Sequence, residues 1–195
     1  MERLKIGVMG SGKGSNFRAI LAAISAGELD AEPVLVASDF PDSGILALAR
    51  EAGVAIHFVN EQKFRTKLSP ATETALVDQL RARQVDLVVL AGYMRMVGSA
   101  MLEAFPRRII NIHPSLLPAF PGLEAWRQAL EAGVEKTGCT VHFVDAGMDT
   151  GEIIARLEVP VLPDDSAESL HARIQVAEHE LYPAVVGRFA RRELA

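Results

Sequence analysis

Cysteine occurs once in this chain, at Cys139, and tryptophan once, at Trp126, among 195 residues. A lone thiol excludes an intrachain disulfide and suits a reducing compartment. No CxxC pair and no HExxH string is present, so the familiar zinc spacings are missing and no metal is expected. Long apolar runs are also missing, since none approaches the ~18–20 residues of a membrane-crossing helix. Nor is there an excess of positive charge. Lys and Arg number 20 against 25 Asp and Glu, a net charge of -5 that argues against a non-specific nucleic-acid binder. The opening MERLKIGVMG enters a strand pattern with no apolar leader core or cleavage site. These absences point to a cytoplasmic protein whose partners are small molecules, with no nucleic acid and no membrane among them. They leave monomer and homodimer equally open.

What is present is an ordinary globular composition, 49% hydrophobic and 23% charged, of a length that favours one domain over residues 1–195. Strand patterns fall at 4–9 (LKIGVM), 33–37 (PVLVA), 55–59 (AIHFV), 86–93 (DLVVLAGY), 108–113 (RIINIH), 137–145 (TGCTVHFVD) and 152–161 (EIIARLEVPV). Helical patterns fall at about 15–26, 43–52, 71–84, 99–105, 123–132 and 166–192. Ser15 and Asn16 can cap the first helix, and Gly27 and Gly53 can stop the first two. Strands that alternate with helices and carry continuous apolar runs indicate a parallel sheet covered on both faces. The expected fold is therefore α/β: an open, mostly parallel, doubly wound Rossmann-like sheet with helices on both faces.

Between the first strand and the first helix lies GVMGSGKGSN, residues 7–16. Glycines let backbone approach an anion, and the free N–H groups of a helix start favour negative charge. Gly7-x4-Gly12-Lys13 begins a triphosphate loop, but Gly14 occupies the place of its magnesium-binding hydroxyl. Gly10-x-Gly12-x-Gly14 misses the dinucleotide spacing by one residue, and Asp39 is the only acidic candidate for a ribose partner after strand two. A single terminal phosphate suits the loop better than a dinucleotide. The alternative is a tight turn with no ligand.

The strand at 108–113 ends in Asn111-Ile112-His113 and breaks at Pro114. Residues i and i+2 of a strand share a face, so Asn111 and His113 project together at a sheet edge where ligands bind. A carboxamide that donates to oxygen beside an imidazole suits attack on a carbonyl, where negative charge develops on oxygen. The alternative is a strand-end histidine with a satisfied hydrogen bond. Asp145 and Asp149, in the glycine-containing stretch VDAGMDTGEII, can line a crevice, and a carboxylate near His113 would orient it. They can equally serve turn chemistry alone. His57, His171 and His179 offer weaker sites. His142 reads as a strand histidine held by polar neighbours, and a zinc site from His113, His142 and Asp149 has no recognised spacing behind it.

Five stretches in sequence order carry a family resemblance: SGKGSN (11–16), LAGYMRMV (90–97), INIHPSLLPAFPG (110–122), VHFVDAGMDTG (141–151) and QVAEHELYP (175–183). On them the chain resembles the folate-dependent phosphoribosylglycinamide formyltransferases. NIHPSLLP is shared by enzymes that use formyltetrahydrofolate, while the glycine loop and EHELYP narrow the substrate to the ribonucleotide. The resemblance implies 10-formyltetrahydrofolate as co-substrate, no metal, and a catalytic trio of Asn111, His113 and Asp149. It places the substrate phosphate at Gly14, Ser15, Asn16 and Phe17. The ribose and glycinamide would lie by Gln175, Val176, Ala177 and Glu178, with Glu178 holding the amine. The folate would lie along Met94, Arg95, Met96 and Val97, by Asn111, and against Asp145, Ala146, Gly147, Met148 and Asp149. The family's basic folate contact corresponds to Lys67 in FRTK, with Arg65 as the alternative. Lys13 stands where many relatives carry an uncharged residue.

Three rivals are weighed against this reading. Formylation of initiator methionyl-tRNA calls for a further RNA-binding domain, and a formyltetrahydrofolate hydrolase usually carries a regulatory domain ahead of the catalytic one. A non-catalytic nucleotide module of Rossmann type would use the glycine loop but has no need of the trio. The resemblance and the density of prolines also suggest a cis bond at Leu117-Pro118.

Overall fold

A computed structural model describes residues 2–194. The apolar run Leu4–Met9 forms strand β1. Helix α1 (Ser15–Ser25), β2 (Ala31–Ser38), α2 (Gly44–Glu51), β3 (Ile56–Phe58), α3 (Pro70–Ala82), β4 (Leu87–Leu90), α4 (Ser99–Ala104) and β5 (Ile109–His113) follow. Then come α5 (Ala125–Glu131), β6 (Lys136–Phe143), β7 (Ile153–Pro160) and α6 (Ala167–Ala190). One sheet holds all seven strands in the order β3-β2-β1-β4-β5-β6-β7. The first five are mutually parallel, whereas β6 runs antiparallel to β5 and β7 antiparallel to β6. The expected open, mostly parallel α/β sheet is therefore present. Residues 144–152 join β6 to β7, too short a connection for the crossover that parallel pairing needs.

Element ends differ from the sequence reading where local chemistry decides them. Pro33, which has no N–H for the ladder, coincides with a register slip between Ile6 and Gly7 in the β1–β2 pairing. Helix α3 starts at Pro70, because the Ser69 hydroxyl accepts from the Thr72 N–H and proline suits the first helical position. The expected cap of α1 by Ser15 and Asn16 is not formed. Gly14 takes the cap position at φ 79°, no side chain caps the helix, and both residues lie in its first turn. A Cβ at Gly14 would sit 2.8 Å from Ile45 Cα, so glycine is required both by conformation and by the contact with α2.

Two apolar layers sandwich the sheet. On one face α1, α2 and α6 bury Phe17, Ile20, Ile45, Ile110, Ile112, Val141 and Tyr182. Opposite them α3 and α4 cover Leu76, Leu80, Val88, Met101, Phe105 and Ile109. Each wholly buried large side chain contributes about 1.5–3 kcal/mol. The Tyr182 hydroxyl reaches the carbonyls of Leu90 (2.7 Å) and Ile110 (3.1 Å), which pins α6 across β4 and β5. Cys139 on β6 is fully buried, and burial, with the Glu178 charge adding, pushes its thiol up to about 12.

The second face is where the site arises. Helix α4 has only six residues, and its apolar cover reaches Ile109. Farther along β5, Asn111 and His113 share Ile109's face, and their β6 neighbours in register are His142 and Thr140. That part of the sheet is roofed by the segments 114–124 and 144–152 instead of a helix.

Candidate active site

Cross-strand register brings Asn111 against His142. The His142 Nδ1 lies 2.8 Å from the Phe143 carbonyl and the Asn111 Nδ2 lies 3.2 Å from His142 Nε2. Burial holds the His142 pKa below the usual histidine value, which favours the neutral ring. A neutral ring that donates from Nδ1 to the carbonyl leaves a lone pair on Nε2 for the Asn111 amide. One N–H of Asn111 is thereby spent on orientation, and the other remains for a ligand.

His113, 5% exposed, is held from two sides. Its Nε2 lies 2.9 Å from the Phe120 carbonyl, and its Nδ1 lies 3.4 Å from Asp149 Oδ2. The carbonyl requires an N–H at Nε2, so Nδ1 is the nitrogen turned toward Asp149 and the open site. A proton on Nδ1 makes that contact favourable. Asp149 Oδ2 also accepts from the Gly122 N–H at 2.9 Å, and Oδ1 lies 3.7 Å from His142 Nε2. Asp149 sits at φ 56°, a left-handed conformation in which its carboxylate turns back over the sheet. The structure thus gathers Asn111, His113 and Asp149 in one place and adds His142. Among the described residues no group of three His, Cys, Asp or Glu side chains is arranged to hold a metal ion.

Asp145 is farther out. Its Oδ1 accepts from the Gly147 N–H (2.9 Å) and the Thr150 hydroxyl (2.7 Å), which folds the exposed 145–148 turn on itself. Met148 is exposed within that turn, as is Met94 beyond β4. In the 94–97 stretch the Met94 N–H donates to Ser11 Oγ at 3.0 Å and the Met96 N–H to the Thr66 carbonyl at 2.8 Å. The N–H groups of Arg95 and Val97 take no protein acceptor among the described residues. The Arg95 guanidinium is committed internally: it pairs with Asp39 at 2.8 Å and donates to the carbonyls of Phe64 (2.5 Å) and Lys67 (3.3 Å). Asp39 also accepts from Ser11 Oγ at 2.6 Å. Lys67 is exposed with its ammonium 5.1 Å from the Phe64 ring centroid, and Arg65 is exposed two residues earlier.

At the start of α1 the N–H groups of Ser15, Asn16 and Phe17 have no capping partner. The Asn16 side chain, in the first turn, donates to Glu178 Oε2 at 2.9 Å and joins α1 to α6. Asn16 Oδ1 is buried without a partner, a polar atom directed at no protein group. Burial pushes the Glu178 carboxyl up to about 7, against the lowering effect of the Asn16 bond. Gln175 precedes Glu178 by three residues and shares its side of α6, Ala177 is buried, and Val176 is exposed. One side of the site is therefore an anion-ready helix start, and the other a carbonyl-handling cluster.

Sequence reasoning gives His142 as a strand histidine held by polar neighbours, as the structure has it, while its pairing with Asn111 follows from a register that only the antiparallel β5–β6 pairing creates. It missed Ser115 and Thr140, which hold the segment after His113. It also left Asp39 open as a ribose partner, whereas its carboxylate is taken up by Ser11 and Arg95.

The sequence and the fold both match known proteins. Residues 4–186 match the family model described as formyl transferase. The chain is 42% identical over 182 residues to phosphoribosylglycinamide formyltransferase of Bacillus subtilis (strain 168), covering 93% of this chain and 92% of that protein. It is 40% identical over 187 residues to the protein of the same name from Escherichia coli (strain K12), covering 96% and 87%. Among solved structures, glycinamide ribonucleotide transformylase 1 from Symbiobacterium toebii superposes with a TM-score of 0.93 at 49% identity, over 100% of this chain and 91% of that one.

Proposed function

The chain belongs to the formyl transferase family, and we propose that it transfers the formyl group of 10-formyltetrahydrofolate to the amine of 5'-phosphoribosylglycinamide. The products are the N-formyl ribonucleotide and tetrahydrofolate, a step of de novo purine synthesis. Residues 1–195 act as a single formyltransferase domain, a reading supported by the one continuous sheet. The observation that carries the proposal is the convergence of Asn111, His113 and Asp149 at the same carboxyl-terminal edge of the parallel strands as a helix start with free N–H groups.

The glycinamide nitrogen attacks the formyl carbon, and the carbonyl electron pair moves to oxygen. The free Asn111 N–H and the Nδ1–H of His113 receive that oxyanion, and Asp149 holds the ring in place and supports its positive charge. The bond from the formyl carbon to the folate nitrogen then breaks, and the proton lost by the amine ends on that nitrogen. Placing the two substrates in line supplies much of the remaining acceleration.

The phosphate rests on Gly14, Ser15, Asn16 and Phe17, where uncapped N–H groups and the helix dipole favour an anion. Gln175, Val176, Ala177 and Glu178 border the ribose and glycinamide, and the Glu178 carboxylate accepts from the amine. The pterin lies by Asn111 and along Met94, Arg95, Met96 and Val97, read by the alternate backbone amides that the protein leaves unused. The turn of Asp145, Ala146, Gly147, Met148 and Asp149 closes the other side, and Lys67 meets the folate's terminal carboxylate. No helix among the described residues is long and apolar enough to cross a membrane. A cytoplasmic setting is supported by the sparing use of cysteine, with Cys139 alone and no intrachain disulfide to form.

The test is to incubate the protein with the formylfolate alone and then with the ribonucleotide added. Tetrahydrofolate should appear only when both are present, with formylated ribonucleotide in equal amount. Release with the folate alone would make the protein a hydrolase, and no release in either case would refute formyl transfer.

A further inference from the structure

Strand β5 ends because Pro114 has no N–H to donate, yet the segment that follows does not drift from the sheet. The buried hydroxyl of Thr140, directly across from His113 in the β5–β6 register, takes over the lost ladder. It donates to the Ser115 carbonyl at 2.6 Å and accepts from the Leu117 N–H at 3.0 Å. Arg156, opposite Thr140 on β7, also donates to the Leu117 carbonyl. Ser115, also fully buried, ties the segment to itself. Its N–H donates to the His113 carbonyl at 2.9 Å, and its hydroxyl donates to Ala119 O at 2.5 Å, with Phe120 O a further 3.3 Å contact. The far end of this chain of bonds is the Phe120 carbonyl, the acceptor of His113 Nε2.

We propose that Ser115 and Thr140 are positioning residues that fix the orientation of the His113 ring. By holding the 115–120 turn against β6 they keep the Phe120 carbonyl at Nε2. That leaves Nδ1, on the side of Asp149, as the nitrogen that meets the reacting carbonyl. Without the hydroxyls the carbonyl is free to swing away, and the ring loses the bond that keeps its Nδ1–H aimed at the oxyanion. The proposal rests on the assignment of His113 to formyl transfer, but its direct readout does not.

That readout is the pair of imidazole nitrogens of His113, followed by nitrogen-15 NMR and assigned by comparison with His113→Asn. In the wild-type protein Nε2 should show the shift of a fixed N–H. In Thr140→Val, close in shape but without the hydroxyl, it should move away from that position, toward the shift of an N–H no longer bonded to the Phe120 carbonyl. The turnover number should fall about 10–100-fold, since a misplacement of about 1 Å costs that much. KM for either substrate should change by less than about threefold, and Thr140→Ser should restore both rate and shift. Ser115→Ala should change the rate and the shift in the same direction, and it serves as the test if Thr140→Val does not fold. An unmoved Nε2 signal in a folded variant, full turnover in Thr140→Val, or failure of Thr140→Ser to restore it would each overturn the proposal. A wild-type protein with a fixed Nε2–H and no formyl transfer would instead refute the function and leave the clamp standing.

Discussion

A carboxyl withdrawn from water must either find a cation or keep its proton, and among the described residues the hydrogen-bond partner of the Glu178 carboxyl is the Asn16 amide. Its pKa of about 7, against 4.5 for an ordinary glutamate, is caused first by burial. The unfolded chain releases this proton near pH 4.5, while the folded protein keeps it to about pH 7. Folding therefore binds a proton within that window, so stability falls as pH rises from 4.5 to 7 and the loss is complete above. The shift corresponds to roughly 3 kcal/mol. Glu178→Gln should remove that slope. In urea denaturation at pH 5 and pH 8 the wild type should lose more stability than the variant, and equal losses would place the titration elsewhere. At the opposite edge of the site, Asn111→Ala and His113→Ala should each lower turnover by about 10²–10³, the usual effect of removing one oxyanion donor. Near-normal turnover in either variant, with circular dichroism unchanged, would remove that residue from the chemistry.

Elements matter here through how they begin and end. Helix α1 has no side-chain cap, and Gly14 brings its first N–H groups out at φ 79° against Ile45 of α2. Gly14→Ala places a methyl 2.8 Å from Ile45 Cα and strains the left-handed turn, so α1 must shift. KM for the ribonucleotide should rise at least tenfold while affinity for a folate analogue changes little, as calorimetry on the two ligands would check. Equal weakening of both would mean that the turn supports the whole fold instead. The sequence made most elements legible through apolar runs and glycine stops. It could not reveal that Ser15 and Asn16 are not caps, because a hydroxyl or amide near a helix start has several uses and Glu178, distant in sequence, decides between them. The pairing of His142 with Asn111 was hidden for a related reason. A strand's direction is a tertiary outcome, and the parallel expectation would have set different residues side by side.

At the scale of the molecule, the mostly parallel sheet followed from alternation of elements, and Asn111 with His113 followed from a spacing of two on a strand. Asp149 was legible only as an acid in a glycine-containing loop, since its reach to His113 depends on a left-handed backbone that the sequence does not announce. Two mononucleotide-like features, a glycine loop and Asp39, left a dinucleotide site open until the Asp39 carboxylate was found between Ser11 and Arg95. The ribonucleotide at about 100 times its Kd should stabilise the native state by about 2.7 kcal/mol. For a chain of this size that raises Tm by about 5–10 °C. NAD at the same concentration should leave Tm unchanged, and a rise with NAD alone would restore the dinucleotide reading.

Because the only thiol lies sealed within β6, the folded molecule offers thiol-selective reagents nothing to attack. A cysteine introduced at an exposed rim position, such as Leu123 or Met148, would then be the sole handle for a fluorophore. The movement of either roof segment could be watched in the native background, with no need to delete Cys139 first.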